Sequence, residues 1–145
     1  MLKEILMQAD AIQLQVEPND WEDAIAFAAL PLVKNGFIEK SYFEAIVNST
    51  LENGAYYVFE DERFALPHAR PEDGVNKVGF SLVTFKNPIS INGSPEIDFM
   101  IMLCAVDSDS HIKEGLQPIM EMLSDEQTLN TITTTNKIDE VLALL

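Results

Sequence analysis

The chain has 145 residues, enough to bury a substantial core within one domain spanning 1–145, and a hydrophobic share of 47% that is ordinary for a globular protein. Its 24 acidic against 9 basic side chains give a formal net charge of −15, which argues against nucleic acid or an anionic membrane surface as partner and favours a basic protein. A single cysteine excludes an internal disulfide and fits a reducing compartment, and the longest apolar run, Phe99 to Val106, is far short of the ~20 residues that span a bilayer. The first residues, Met1-Leu2-Lys3-Glu4-Ile5-Leu6-Met7, have neither the apolar run nor the cleavage site of a signal peptide, so a cytoplasmic, soluble protein without membrane insertion is expected.

After a short N-terminal helical stretch, Ile12-Gln13-Leu14-Gln15-Val16 alternates apolar and polar and predicts a half-buried strand. Glu17-Pro18-Asn19-Asp20 punctuates the chain. Asn19 and Glu22 have the spacing of an N-terminal capping pair, and Trp21, Ala24, Ile25, Ala28 and Leu32 then follow at helical spacing. Pro31 should disturb the last turn and Gly36 should stop the helix. A second helix is predicted from about Glu39 to Leu51, with Ser41 and Glu44 as a capping box and Tyr42, Phe43, Ile46 and Val47 as its apolar face. Glu52-Asn53-Gly54 ends it. Tyr56-Tyr57-Val58-Phe59 has the composition of a strand, and the acidic turn Glu60-Asp61-Glu62 follows.

Downstream, Val78 to Phe85 predicts another strand, with Asn87-Pro88 and Asn92-Gly93 framing a short connection. Ile97 to Val106 is almost wholly apolar, the pattern of a central strand covered on both faces. The polar run Asp107-Ser108-Asp109-Ser110-His111 ends it, and a helix is expected from there to Leu123, with Pro118 kinking it. Asp125 to Thr131 reads as a short helix. Ile138, Val141, Leu142 and Leu145 close the chain as a docking helix. The interleaving implies an α/β class with a mixed sheet sandwiched by helices. Cys104 and Met100, Met102, Met120 and Met122 fall at positions expected to be core.

The chemistry-bearing stretch is Arg63-Phe64-Ala65-Leu66-Pro67-His68-Ala69-Arg70-Pro71, followed by Glu72-Asp73-Gly74-Val75. The chain has only two histidines and two arginines, and three of those four residues lie between Arg63 and Arg70. His68 is held between two prolines, each fixing its own φ and pushing its predecessor toward extended geometry. Pro67 cannot donate to a ladder, so Phe64-Ala65-Leu66 reads as a short strand that ends at His68. An imidazole at a strand end with a guanidinium two residues on is a way to present a nucleophile to an anionic group; a solvated turn histidine is the plainer alternative. His111 falls at the start of a helix, where unpaired N–H groups suit a phosphoryl group, or where it serves the cap alone.

Leu66-Pro67-His68-Ala69-Arg70-Pro71-Glu72-Asp73-Gly74-Val75 resembles the phosphorylation-site segment of the type-2 enzyme IIA domains of the bacterial phosphoenolpyruvate-dependent sugar phosphotransferase system, most nearly the ascorbate-type branch. The resemblance extends over essentially the full length and implies the same α/β architecture. It implies a phosphoryl relay: His68 takes a phosphoryl group from the carrier protein HPr and passes it to the reactive cysteine of an enzyme IIB. By the same resemblance His111 lies beside His68 as an orienting or phosphoryl-contacting neighbour. Arg70 would be the nearest cationic clamp, since its planar fork can meet two phosphoryl oxygens; pairing with Glu72 or Asp73 is its alternative. The mannitol-type branch brings an arginine from late in the second helix, whereas Val47-Asn48-Ser49-Thr50-Leu51 has none, so Arg70 or Arg63 would have to substitute.

No cofactor is called for. A metal site from Asp107, Asp109, His111 and His68 is thinly supported, and Cys104, inside an apolar strand, does not suit a phosphocysteine. Two functions follow from these readings. One is a phosphocarrier serving uptake of ascorbate or a related sugar or sugar alcohol. The other is a regulatory module whose phosphorylated His68 governs binding to a transcription factor or transporter. A homodimer is compatible with either.

Overall fold

The alternation at Ile12–Val16 forms strand β1 with the bounds its pattern predicts. In this computed structural model, which describes residues 4, 6, 7, 10–107 and 116–145, β1 is joined by β2 (Val58–Phe59), β3 (Phe64–Ala65), β4 (Gly79–Ile89) and β5 (Ile97–Cys104). These pair in the order β1-β4-β5-β3-β2, a mixed sheet of five strands among the described residues. The β1–β4 and β3–β5 pairs are parallel, and the β4–β5 and β2–β3 pairs antiparallel. β5 is central, and every residue in it except Asp98 is buried, as its apolar run requires.

Helix α1 (Trp21–Lys34) packs on β4 and β5, and α2 (Lys40–Asn53) packs against α1. Ala24, Ile25, Ala28 and Leu32 form the buried stripe of α1. The helix runs through Pro31, which has no N–H for the Phe27 carbonyl one turn back. The Gln13 side-chain amide from β1 donates to that carbonyl instead. The α1 cap lies one residue later than the sequence pairing suggests. Asp20 is extended and accepts from the Asp23 N–H at 2.7 Å, and the Asn19 N–H donates to the Asp23 carboxylate at 2.9 Å. Burial of the apolar stripe sets the phase of the helix, so Asp20 takes the cap and the first-turn acid Asp23 reaches back to the residue before it.

Ser41 does not cap α2. Glu39 holds the N-cap position without a side-chain bond to the helix, its carboxylate accepting from the Asn76 amide instead, and the Ser41 hydroxyl donates to the Asp73 carbonyl at 2.8 Å. The start of α2 is docked on the turn after His68, where the Glu39 N–H donates to the Gly74 carbonyl at 2.8 Å. Gly74 is required there: its φ is +136°, and a Cβ would stand 2.6 Å from the Ser41 hydroxyl. Gly54 ends α2 in the same permissive region, with φ +79° and its N–H on the Thr50 carbonyl.

β2 is shorter than Tyr56–Phe59, because Tyr57 turns its ring into the core and its hydroxyl meets that of Thr50 at 2.7 Å. β4 runs on past Asn87-Pro88 to Ile89. The ladder to β5 is irregular between Thr84 and Ile89, and a proline with no donor is tolerated at such an irregularity.

The C-terminal third holds α3 (Gln117–Leu123), α4 (Glu126–Thr134) and α5 (Ile138–Leu144). α4 packs against β4 and α5 against β1. Pro118 is the second residue of α3, and the start of the helix expected from His111 lies outside the described residues. Met100 and Met102 are buried and Met122 packs on the core, but Met120 is exposed, because α3 turns Ile119 and Leu123 inward instead. No helix among the described residues is long and apolar enough to cross a membrane.

Candidate active site

His68 lies where β3 leaves the sheet. Phe64 pairs with Phe99 and Ala65 with Met100, and the same offset sets His68 opposite Leu103. The ladder continues beyond the named strand: the Leu103 N–H donates to the Pro67 carbonyl at 3.2 Å. On the other side the Leu66 N–H donates to the Tyr57 carbonyl at 3.0 Å. Leu66 and Pro67 are buried and His68 is half-buried, so the imidazole emerges from a rigid base.

The His68 Nδ1 atom is 2.7 Å from the Leu66 carbonyl oxygen. A carbonyl only accepts, so Nδ1 carries the hydrogen, and in the neutral ring the lone pair resides on Nε2. The partner is two residues back on the same turn, which makes the ring orientation a property of the local backbone.

The backbone on the far side of His68 is tied to α2. The Ala69 N–H donates to the Tyr42 hydroxyl at 3.0 Å, and that hydroxyl donates to the Leu103 carbonyl at 2.6 Å. Tyr42 is wholly buried, and burial pushes its phenol well above the ordinary tyrosine range. Tyr56 is exposed. Its ring meets the His68 ring edge-on at 6.1 Å, and its hydroxyl lies 3.5 Å from the His68 carbonyl.

These groups open onto a cleft of about 460 Å³ whose lining includes Asn48, Ser49, Glu52 and Asn53 of α2 together with Tyr56, His68, Arg70 and Asp73. Arg70 therefore shares a cleft with His68, at its exposed lip. Its Nε and Nη2 atoms donate to Asp73 at 3.3 Å each, and Glu72 lies 3.4 Å from Nε. The Asp73 carboxylate also accepts the Arg70 N–H at 3.0 Å. The hydrogen bond from Arg70 holds the Asp73 carboxyl below the usual carboxylate range. In turn the Asp73 contact raises the guanidinium further above its ordinary value. The pairing considered as Arg70's alternative is thus formed, on the rim of the same cleft.

Arg63 is elsewhere. It makes a two-pronged bond to Asp98 at 2.8 and 3.1 Å, at the opposite end of β3, and does not line the cleft. From α2 the cleft receives the uncharged Asn48 and Ser49 and the acidic Glu52 but no arginine, as the stretch Val47–Leu51 requires. His111 and Asp109 lie outside the described residues. Cys104 is fully buried, with Sγ 3.4 Å from the Lys77 carbonyl, and burial pushes its thiol up to about 12. That is a core thiol and no nucleophile.

Sequence reasoning assigns Tyr42 only to an apolar helix face and Tyr56 only to a strand. Their hydroxyls are the part it misses. A tyrosine where phenylalanine would fill the core equally well is the signal available, because a buried phenol needs a partner.

The family model "Phosphoenolpyruvate-dependent sugar phosphotransferase system, EIIA 2" matches residues 5–145. The ascorbate-specific PTS system EIIA component of Salmonella typhimurium is 34% identical, over 99% of this chain and 94% of that protein. Among solved structures, the mannitol-specific cryptic phosphotransferase enzyme IIA of Escherichia coli superposes with a TM-score of 0.87 at 31% identity, covering 99% of this chain and 96% of that one. The enzyme IIA of the Escherichia coli mannitol system, solved in complex with phosphorylated enzyme IIB, superposes with a TM-score of 0.77 at 25% identity, covering 94% of each chain. A match over nearly the whole sequence, with the same fold beneath it, makes this chain a member of the type-2 enzyme IIA family, the phosphotransferases of the phosphoenolpyruvate-dependent sugar phosphotransferase system.

Proposed function

We propose that this protein is a cytoplasmic phosphocarrier that accepts a phosphoryl group on His68 from phospho-HPr and delivers it to the cysteine of a cognate enzyme IIB. The observation that carries the reading is the 2.7 Å bond from His68 Nδ1–H to the Leu66 carbonyl, which assigns the lone pair to Nε2 in a ring set at a cleft. In the first step the Nε2 pair attacks phosphorus as the P–N bond to the HPr histidine breaks. In the second, the IIB thiolate attacks, a P–S bond forms, and the P–N bond to His68 breaks, returning the electron pair to Nε2. Such a transfer asks the protein for positioning and charge neutralisation rather than covalent assistance. Arg70, at the lip and aimed by Asp73, is the cation the described residues offer for the latter. His111 is proposed as the second contact to the phosphoryl group, on the family resemblance. The transported compound is ascorbate or a related sugar or sugar alcohol, following the names of the relatives.

The test is incubation with enzyme I, HPr and phosphoenolpyruvate, followed by intact mass. One acid-labile phosphate is expected on the wild type and none on His68→Ala. A wild type that stays unmodified beside phosphorylated HPr overturns the relay.

A further inference from the structure

We infer that Tyr42 is a positioning residue for phosphoryl transfer, its buried hydroxyl inserted into the β3–β5 ladder to hold His68 in the transferring position; the inference rests on His68 being the phosphoryl acceptor. The ladder geometry identifies the insertion. In a parallel pair, a residue opposite Leu103 is flanked by two bonds, one from the Leu103 N–H to the carbonyl before it and one from the N–H after it to the Leu103 carbonyl. With His68 opposite Leu103, these would be Leu103 N–H to Pro67 and Ala69 N–H to Leu103. The first is present at 3.2 Å. In place of the second, the Ala69 N–H reaches the Tyr42 oxygen at 3.0 Å and the Tyr42 O–H reaches the Leu103 carbonyl at 2.6 Å. The Ala69 carbonyl, at 3.4 Å, is too long to compete for the single hydroxyl proton.

One hydroxyl thus satisfies both ladder groups while keeping them apart. The chain leaves the sheet at His68 rather than one residue later, and both backbone neighbours of His68 are anchored to β5, one directly and one through the phenol. Phenylalanine at this position would fill the same volume. It would free Ala69 N–H and the Leu103 carbonyl to close into the direct bond, drawing His68 toward the sheet. Because those groups would then pair with each other, the variant should keep its fold and lose placement of the ring.

The experiment compares wild type, Tyr42→Phe and His68→Ala as acceptors from phospho-HPr, with rates measured across HPr concentration. Y42F is expected to lower the maximal transfer rate roughly 10- to 100-fold, the scale of a misplaced reacting group, at an unchanged half-saturating HPr concentration. The His68 ring nitrogen resonances should shift at the same time, which a merely structural loss would not produce in a folded protein. A folded Y42F that transfers at the wild-type rate overturns the inference. Should Y42F not fold, proton NMR of the wild type decides: a slowly exchanging tyrosine hydroxyl proton close to the Ala69 amide is expected, and its absence overturns the bridge. A wild type that takes no phosphate overturns the relay itself, whereas a phosphorylated wild type beside an unaffected Y42F overturns only the role of Tyr42.

Discussion

At the scale of single residues, the cleft is governed by short-range bonds that the backbone makes almost unavoidable. His68 bonds to a carbonyl two residues back, and Arg70 to a carboxylate three residues on. Between them Pro67 and Pro71 remove rotational freedom that would otherwise be lost on ordering the loop. The Arg70–Asp73 pair is largely solvent-exposed on the arginine side, so it adds little to stability and acts instead to aim the guanidinium. Its electrostatic mark is still measurable. Asp73 is held below the ordinary carboxylate value, so whatever it contributes is present above that value and is lost as pH falls through the lowered one. A carboxyl-carbon NMR titration should place the Asp73 midpoint below about 3.9, and Arg70→Ala should move it back up. An unmoved midpoint in that variant would assign the shift to other causes.

At the scale of elements, agreement between pattern and structure follows burial. β1 has the extent its pattern predicts, and β5 has the predicted start and central setting but stops at Cys104, two residues short of Val106; alternation and continuous apolarity report how many faces are covered, not where the ladder ends. The caps of α1 and α2 slip or change partner, since several acids and hydroxyls lie near each helix start and only the tertiary phase selects among them. Pro88 suggests an interruption in letters, yet lies inside β4 at a ladder irregularity that letters do not reveal. The histidine segment was legible as a stiff strand end; the tyrosine bridge was not, since Tyr42 precedes Ala69 by 27 residues and Leu103 by 61. The Pro31 repair is another long-range device of this kind. Gln13→Ala should leave the half-buried Phe27 carbonyl without this donor and cost about 1 kcal/mol in denaturant unfolding. Adding Pro31→Ala restores an N–H in the helix and should recover much of that loss. If the double variant is no more stable than Q13A, the compensation is not what holds α1.

At the scale of the whole molecule, the sheet keeps several ionisable groups out of water, and their burial defines an alkaline limit. Burial raises Tyr57 to about 12 and Cys104 to about 12. Their unfolded values are about 10 and about 8.5, and Tyr42 shifts in the same direction. A raised value favours the folded state fully below the unfolded value and progressively less above it. The urea midpoint should therefore hold near neutral pH and fall as pH climbs from about 8.5 toward 12, with Cys104→Ala blunting the early part of the fall. A flat midpoint across that window would mean these groups are not shielded as the packing implies.

The same far-flung wiring has a consequence for how the protein is made. A ribosome that has released the chain through His68 has yet to release Leu103, so the imidazole enters the cell before the strand that receives its neighbours. Synthesis therefore keeps the histidine apart from its mounting until Leu103 itself has been made, so on any shorter nascent chain the ring has no fixed position.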